Sequence, residues 1–215
     1  RRVAVPDIAD KTGQQHDQNA KGNEELFYKW AHASEIGGAG LGGNYWLGYR
    51  SQMFDFAPDP DQSKPQLYVD LAHAAQALVE GESDAVANMA NMAALIWQFV
   101  PGLNWAGFYR AIGDELVLGP FVGKPACIRI PFGEGVCGTA AVQGVTQVVA
   151  DVHEFPGHIA CDAASRSELV VPVMLGDRVI AVIDLDSPEP GRFNQEDAAG
   201  MEMLARVAAG AIIAA

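Results

Sequence analysis

Hydrophobic residues recur at helical spacing in three parts of the chain. From Gln66 onward, apolar residues three or four positions apart predict a first helix that ends near Gly81. The same spacing predicts a second helix with Ser83 as its N-cap, which the Pro-Gly pair at 101–102 should terminate. A last amphipathic helix is predicted to start near Asn194 and to continue to the end of the sequence.

The segments between these helices have the apolar runs and turn residues that are typical of β-strands and hairpins. Strands are predicted at residues 105–112, 116–121, 127–130, 147–149, 169–175 and 179–186. The pair Gly176-Asp177 between the last two is a compact hairpin signal, and the glycine-bounded segment 133–144 predicts a short helix. Together these elements predict an α+β fold: one domain with a mainly antiparallel sheet of about six strands flanked by helices.

The composition of the chain changes near Lys64 and Pro65. Before that point the sequence holds the glycine-rich run 37–43 and the proline-rich run 57–61. Glycine and proline at that density predict an irregular, flexible N-terminal extension over residues 1–64. The catalytic or binding domain is predicted to occupy residues 65–215.

Composition and charge narrow the class of protein. With 49% hydrophobic and 19% charged residues, the chain is expected to be globular with a real core. The net charge of −13, without a cluster of Lys or Arg beyond the first two residues, argues against a nucleic-acid partner. No apolar run reaches the roughly 20 residues of a membrane helix, and no export signal is evident. The sequence therefore predicts a cytoplasmic protein with neither a membrane nor a nucleic acid as partner.

Two acidic residues follow the apolar run of the last predicted strand. Residues two apart on a strand share a face, so Asp184 and Asp186 point the same way. Two carboxylates at the end of a core strand are costly to bury unless a cation or a hydrogen-bond donor meets them. The alternative is that the strand has already left the core there and that both side chains are solvated.

The partner strand begins with a third acid, Glu168, whose orientation depends on the register of the hairpin. A regular two-residue turn at 176–177 would pair Glu168 with Leu185 and turn it away from the two aspartates. A shift of one residue would place it beside Asp186. Pro172 lies inside this strand, where the missing N–H often marks an edge or a bulge. We therefore predict a bulge near Pro172 if the three acids share one pocket.

The chain has three cysteines, Cys127, Cys137 and Cys161, and an odd number cannot form a closed disulfide framework. Each could be a small buried hydrophobic residue. A zinc site with His158 or His153 is a second interpretation, but structural zinc usually takes paired ligands at short spacing, and the gaps here are long. We therefore expect no metal.

The third interpretation is redox chemistry, which needs a thiolate and a second thiol that can reach it. The residues alone do not identify the attacking cysteine. Arg166 and His158 would lower the pKa of Cys161, whereas Asp162 would oppose them.

Several sequence blocks resemble the free methionine-(R)-sulfoxide reductases. The blocks include NWAGFY at 104–109, ACIRIP at 126–131, GVCGTA at 135–140, DVH at 151–153, GHIACDAAS at 157–165 and DLDS at 184–187. The resemblance extends over residues 67–212 and includes all three cysteines in order. It implies a single GAF domain, an antiparallel sheet flanked by helices, in agreement with the pattern of elements.

The resemblance also implies a mechanism and its partners. A thiolate at Cys161 would attack the sulfur of free methionine sulfoxide, which releases methionine and leaves a sulfenic acid. Cys127 would then form a disulfide with Cys161, with Cys137 as an auxiliary thiol, and thioredoxin would restore the dithiol. No cofactor is implied, and the sequence leaves a homodimer open.

The resemblance assigns roles to the acids and to two aromatic residues. Glu168, Asp184 and Asp186 would protonate the sulfoxide oxygen and hold the ammonium group of the substrate. Trp105 would pack on the methyl-sulfur end, with Tyr109 nearby. The alternatives are a GAF module that binds a small molecule without turnover and a structural or zinc-stabilised domain.

Overall fold

The structure is a computed structural model that describes residues 56–159 and 162–212. The predicted N-terminal extension lies outside the described residues except for 56–64, so its irregular character stays a prediction. Four α-helices are described: α1 (Lys64–Val79), α2 (Ala85–Phe99), α3 (Gly135–Gln143) and α4 (Gln195–Ala211). The strands are β1 (Trp105–Ile112), β2 (Glu115–Gly123), β3 (Arg129–Pro131), β4 (Gln147–Val149), β5 (Ser167–Leu175) and β6 (Arg178–Ser187).

The six strands form one antiparallel sheet with the order β3-β2-β1-β6-β5-β4. This confirms the predicted fold class. The third strand begins two residues later than predicted, so Cys127 precedes β3 rather than opening it. Among the described residues, no helix combines the length and apolar character that crossing a bilayer requires.

The two faces of the sheet carry different layers. Helices α1, α2 and α4 cover one face, where residues such as Leu71, Ile96 and Met201 form the larger core with the inward side chains of β5 and β6. The short helix α3 packs on the opposite face over a smaller cluster. The acids Asp184 and Glu168 lie on this second face, because Val170 and Val182 alternate with the residues of the larger core.

Side-chain caps start two of the four described helices, α2 and α4. The predicted N-cap of the second helix, Ser83, is wrong by one residue: Asp84 caps α2 with a side chain that accepts a hydrogen bond from the Ala87 N–H at 2.8 Å. The N-cap position favours a carboxylate, because the carboxylate accepts a hydrogen bond from a free N–H of the first turn. Asn194 caps α4 as predicted, in a capping box with Asp197.

Asp197 also holds α4 to α1. Its fully buried carboxylate accepts hydrogen bonds from Lys64 Nζ, from the Tyr68 hydroxyl and from the Asn194 N–H, each at 2.8 Å, and from Arg192 at 3.2 Å. Burial alone would raise the pKa of Asp197, but these donors lower it below its ordinary value. The two ion pairs of Asp197 therefore stabilise the fold above the pKa of the unfolded carboxyl, and this contribution is lost as the pH falls through the folded value.

Asp197→Ala is expected to lower the free energy of unfolding by about 3–5 kcal/mol, because it leaves buried donors without their acceptor. Denaturant unfolding at neutral pH measures the loss. Asp114→Ala is the matched control, since Asp114 is exposed in the turn after β1 and should change stability little. A loss no larger than that of the control would contradict this account of how α1 and α4 are joined.

Candidate active site

The three predicted acids lie on one face of the β5–β6 hairpin. Glu168 is directly opposite Asp186, and Val170 is opposite Asp184. This register arises from a one-residue shift of the pairing near the turn: Met174 pairs with Val179, but the next residue, Val173, pairs with Ala181. Ile180 is therefore the extra residue of a bulge. The predicted bulge is confirmed, although the additional residue lies in β6, opposite the strand that contains Pro172.

A cavity between the sheet and α3 collects these side chains. This partly open cavity has a volume of about 30 Å³, and among the described residues that line it there is no Lys or Arg. Glu168 and Asp184 are each only 6% exposed, whereas Asp186 is half-buried. Five acids line the cavity: Glu134, Asp162, Glu168, Asp184 and Asp186. The alternative that both aspartates are solvated is therefore wrong for Asp184. An acidic lining of this kind favours a bound cation or protonation of the carboxylates.

Burial and mutual repulsion keep protons on these acids. Burial raises the pKa of Asp186 to about 7, against the lowering effect of a hydrogen bond from Ser165. The pKa values of Glu168 and Asp184 are raised well above their ordinary range, first by burial and then by the charges of the neighbouring carboxylates. The cluster therefore holds carboxylic acid protons at neutral pH.

Cys137 lies in the first turn of α3 with its thiol against the acids. Its Sγ atom is 3.9 Å from Glu168 Oε1, and the thiol is free and buried. Burial, and after it the charges of Asp184 and Glu168, raise the pKa of Cys137 well above the usual thiol value. A thiol that stays protonated is a poor nucleophile, so Cys137 suits an auxiliary role better than the attacking one.

The two other predicted cysteines differ in what the structure describes. Cys127 precedes β3 and is disulfide-bonded. Cys161 lies outside the described residues. The next residue, Asp162, is held by an ion pair with Lys124 at 3.1 Å and by a hydrogen bond from Asn104 at 3.3 Å. The Lys124 contact anchors the segment after Cys161 to the loop that precedes Cys127, and the Asn104 contact anchors it to the start of β1.

Of the two predicted aromatic residues, Tyr109 lines the cavity and Trp105 does not. Trp105, on β1, pairs with Asp186 of β6. Its ring stacks between those of Tyr109 and Phe121, with distances between ring centroids of 5.8 Å and 5.3 Å. A side chain at Gly107 would approach Phe121 Cβ to 2.4 Å, so only glycine fits beneath this stack. The substrate contact of Trp105 remains a prediction.

The structure adds Ser165 to the site and gives a carboxylate partner to His158, which the sequence named as a possible zinc ligand and as a neighbour of Cys161. His158 Nε2 is 3.8 Å from Glu168 Oε2, and burial lowers the pKa of this histidine. Ser165 accepts a hydrogen bond from Asn104 at 3.0 Å and bonds to Asp186. Arg166, in contrast, bonds to Asp151 at 2.8 Å. The dense block at 157–165 was the available signal for His158 and Ser165, but spacing alone does not show which carboxylate each residue meets.

Comparison with known proteins places the chain in a family. A model of the GAF domain matches residues 89–213. The free methionine-R-sulfoxide reductase of Escherichia coli is 49% identical over 142 residues, which cover 66% of this chain and 86% of that protein. The reductase of the same name from Saccharomyces cerevisiae is 42% identical over 153 residues, which cover 67% of this chain and 85% of that protein.

A solved structure supports the same assignment. The X-ray structure of free methionine-R-sulfoxide reductase from Neisseria meningitidis in complex with its substrate has a TM-score of 0.70 and 42% identity. The alignment covers 74% of this chain and 96% of the chain in that structure. Because the GAF model matches more than half of the sequence and both reductases align over most of their own length, this chain belongs to the free methionine-R-sulfoxide reductase family of GAF-domain proteins.

Proposed function

We propose that the chain reduces free methionine (R)-sulfoxide to methionine through a cysteine thiolate. The observation that carries the proposal is the convergence of Glu168, Asp184 and Asp186 beside the Cys137 thiol on one cavity, whose described lining residues include no Lys or Arg. Relatives named for this activity align over most of their length, which supports the same substrate class here.

The acids fit both ends of such a substrate. A sulfoxide oxygen leaves sulfur only when it is protonated, and a carboxyl group with a pKa near neutrality is an efficient donor. Asp186 has this property because of its burial. A free amino acid also carries an ammonium group, which an ionised carboxylate of Glu168 or Asp184 can hold. This division of roles is part of the proposal.

Two thiol steps complete the proposed cycle. The thiolate of Cys161 attacks the sulfoxide sulfur, the oxygen passes to the cysteine as a sulfenic acid, and methionine leaves reduced by two electrons. The Cys127 thiol then displaces hydroxide from the sulfenic acid, which forms the disulfide and releases water. Thioredoxin supplies the two electrons that restore both thiols. The disulfide-bonded state of Cys127 and the free thiol of Cys137 support this pairing.

The cavity has to enlarge when substrate binds. A volume of about 30 Å³ accommodates one or two water molecules, whereas sites for small organic ligands usually measure several hundred Å³.

NADPH oxidation coupled to thioredoxin reductase and thioredoxin tests the proposal. Turnover is expected with free methionine (R)-sulfoxide and not with the (S) epimer. N-acetylmethionine (R)-sulfoxide should be reduced much more slowly, because it lacks the ammonium group that the carboxylates would hold. If neither free epimer is turned over, the reductase is ruled out, and a GAF module that only binds its ligand is favoured.

A further inference from the structure

The thiol of Cys137 and two of the acids form a compact set of metal-ligand atoms. One such atom from each of Cys137, Glu168 and Asp184 lies within 4.8 Å of the other two. Tetrahedral zinc with ordinary Zn–S and Zn–O bonds places its ligands roughly 3.4–3.6 Å apart. The Cys137 Sγ to Glu168 Oε1 distance of 3.9 Å is close to that value. Small side-chain movements are therefore enough to close the set on an ion.

An unpartnered oxygen supplies an independent reason to expect a ligand here. Asp184 Oδ1 is buried and has no hydrogen-bond partner in the part of the chain that the structure describes. A buried carboxylate oxygen without a donor is costly, so such an atom is usually satisfied by a bound group. No Lys or Arg lines the cavity among the described residues, so a cation that meets this oxygen would have to come from outside.

The size of the cavity and the chemistry of its donors select the type of ligand. About 30 Å³ is room for a metal ion with one or two waters rather than for an amino acid. Carboxylates alone would suit Mg²⁺ or Ca²⁺, but a thiolate donor favours softer ions such as Zn²⁺. The ring of His158, 3.8 Å from Glu168 Oε2, is placed to orient that carboxylate from the second coordination shell.

We propose that the form of the chain in which Cys127 is disulfide-bonded binds one thiophilic divalent cation of the Zn²⁺ class through Cys137, Glu168 and Asp184. The metal replaces the proton of the Cys137 thiol and leaves its fourth position to water. This site differs from the structural zinc that sequence spacing made improbable, because its ligands come from α3 and from two strands and meet only in the folded chain. It goes beyond the proposed function and does not require turnover.

Cobalt is the probe, since a thiolate bonded to Co²⁺ gives a charge-transfer absorption band that carboxylates do not give. Oxidised protein, prepared without reductant and with the Cys127 disulfide intact, is titrated with Co²⁺ and then with Zn²⁺. We expect one equivalent of Co²⁺ to produce the band and one equivalent of Zn²⁺ to remove it. Cys137→Ser should abolish the band, and Asp184→Asn should weaken Co²⁺ binding by at least about 10-fold.

His153→Gln is the matched control, because His153 is exposed and bonds to Asp151 away from the cavity. It should bind Co²⁺ as the unmodified chain does. Absence of the band in the unmodified oxidised chain, or its persistence in Cys137→Ser, would overturn the proposal. Circular dichroism of each variant separates loss of a ligand from loss of the fold. The titration uses no substrate, so failure of the reductase assay would not affect its outcome.

Discussion

Asp186→Asn is expected to lower kcat/KM for free methionine (R)-sulfoxide by about 100-fold to 10,000-fold, which is the range that general acid catalysis contributes. Asparagine keeps the shape of the side chain and its hydrogen bond to Ser165 but has no acidic proton. Asp186 is the appropriate target because it is the most accessible of the three acids and burial raises its pKa to about 7. The coupled thioredoxin assay measures the change.

Stability measurements separate this loss from misfolding. An acid whose pKa is raised by folding binds its proton more tightly in the folded chain, so it destabilises the fold increasingly as the pH rises from the unfolded pKa toward the folded value. Asp186→Asn should therefore unfold at the same or a higher denaturant concentration at neutral pH. Asp177→Asn, in the exposed turn of the same hairpin, should leave turnover unchanged. A near-normal rate for Asp186→Asn would show that this acid is peripheral.

Cys161→Ser is expected to abolish reduction, because serine cannot supply the thiolate that attacks the sulfoxide. Cys137→Ser should reduce turnover far less, since burial and nearby carboxylates keep the Cys137 thiol protonated. Equal losses in the two variants would contradict the assignment of the attacking cysteine.

Single-turnover experiments locate the second thiol. Without thioredoxin, Cys127→Ser should still release one methionine per chain and then stop with a sulfenic acid at Cys161, which dimedone traps. Released methionine is counted by amino-acid analysis, and the adduct by mass spectrometry. If Cys127→Ser releases no methionine, the two cysteines do not have the proposed order.

The sequence predicts the sheet well because strand and helix periods are local properties. It leaves the orientation of Glu168 open between two registers, and it predicts a bulge near Pro172 only for the case in which the three acids share one pocket. The boundary errors have local causes. Asp84 outcompetes Ser83 as a cap because a carboxylate also interacts with the helix dipole, and Cys127 falls outside β3 because that strand pairs over only three residues.

The site itself is less accessible to sequence reasoning. Cys137 and Glu168 are 31 positions apart, and their contact depends on how α3 settles on the sheet. The partners of His158 and Ser165 likewise depend on loop geometry that no periodic pattern encodes. The resemblance identifies the candidate residues, but it does not predict that the described walls of the cavity lack Lys and Arg or that Asp184 Oδ1 has no hydrogen-bond partner among the described residues.

The bulge at Ile180 decides which face of the sheet carries Glu168. If the same residues formed a regular ladder without the bulge, every pair beyond Met174–Val179 would slip by one position, and Glu168 would leave the face of Asp184 and Asp186. A chain that lacked Ile180 would instead keep Glu168 opposite Asp186, because the extra residue and the bulge would be lost together. The parity of the residue count between Glu168 and Asp186 therefore determines whether a two-residue turn needs a bulge for the three acids to share a face.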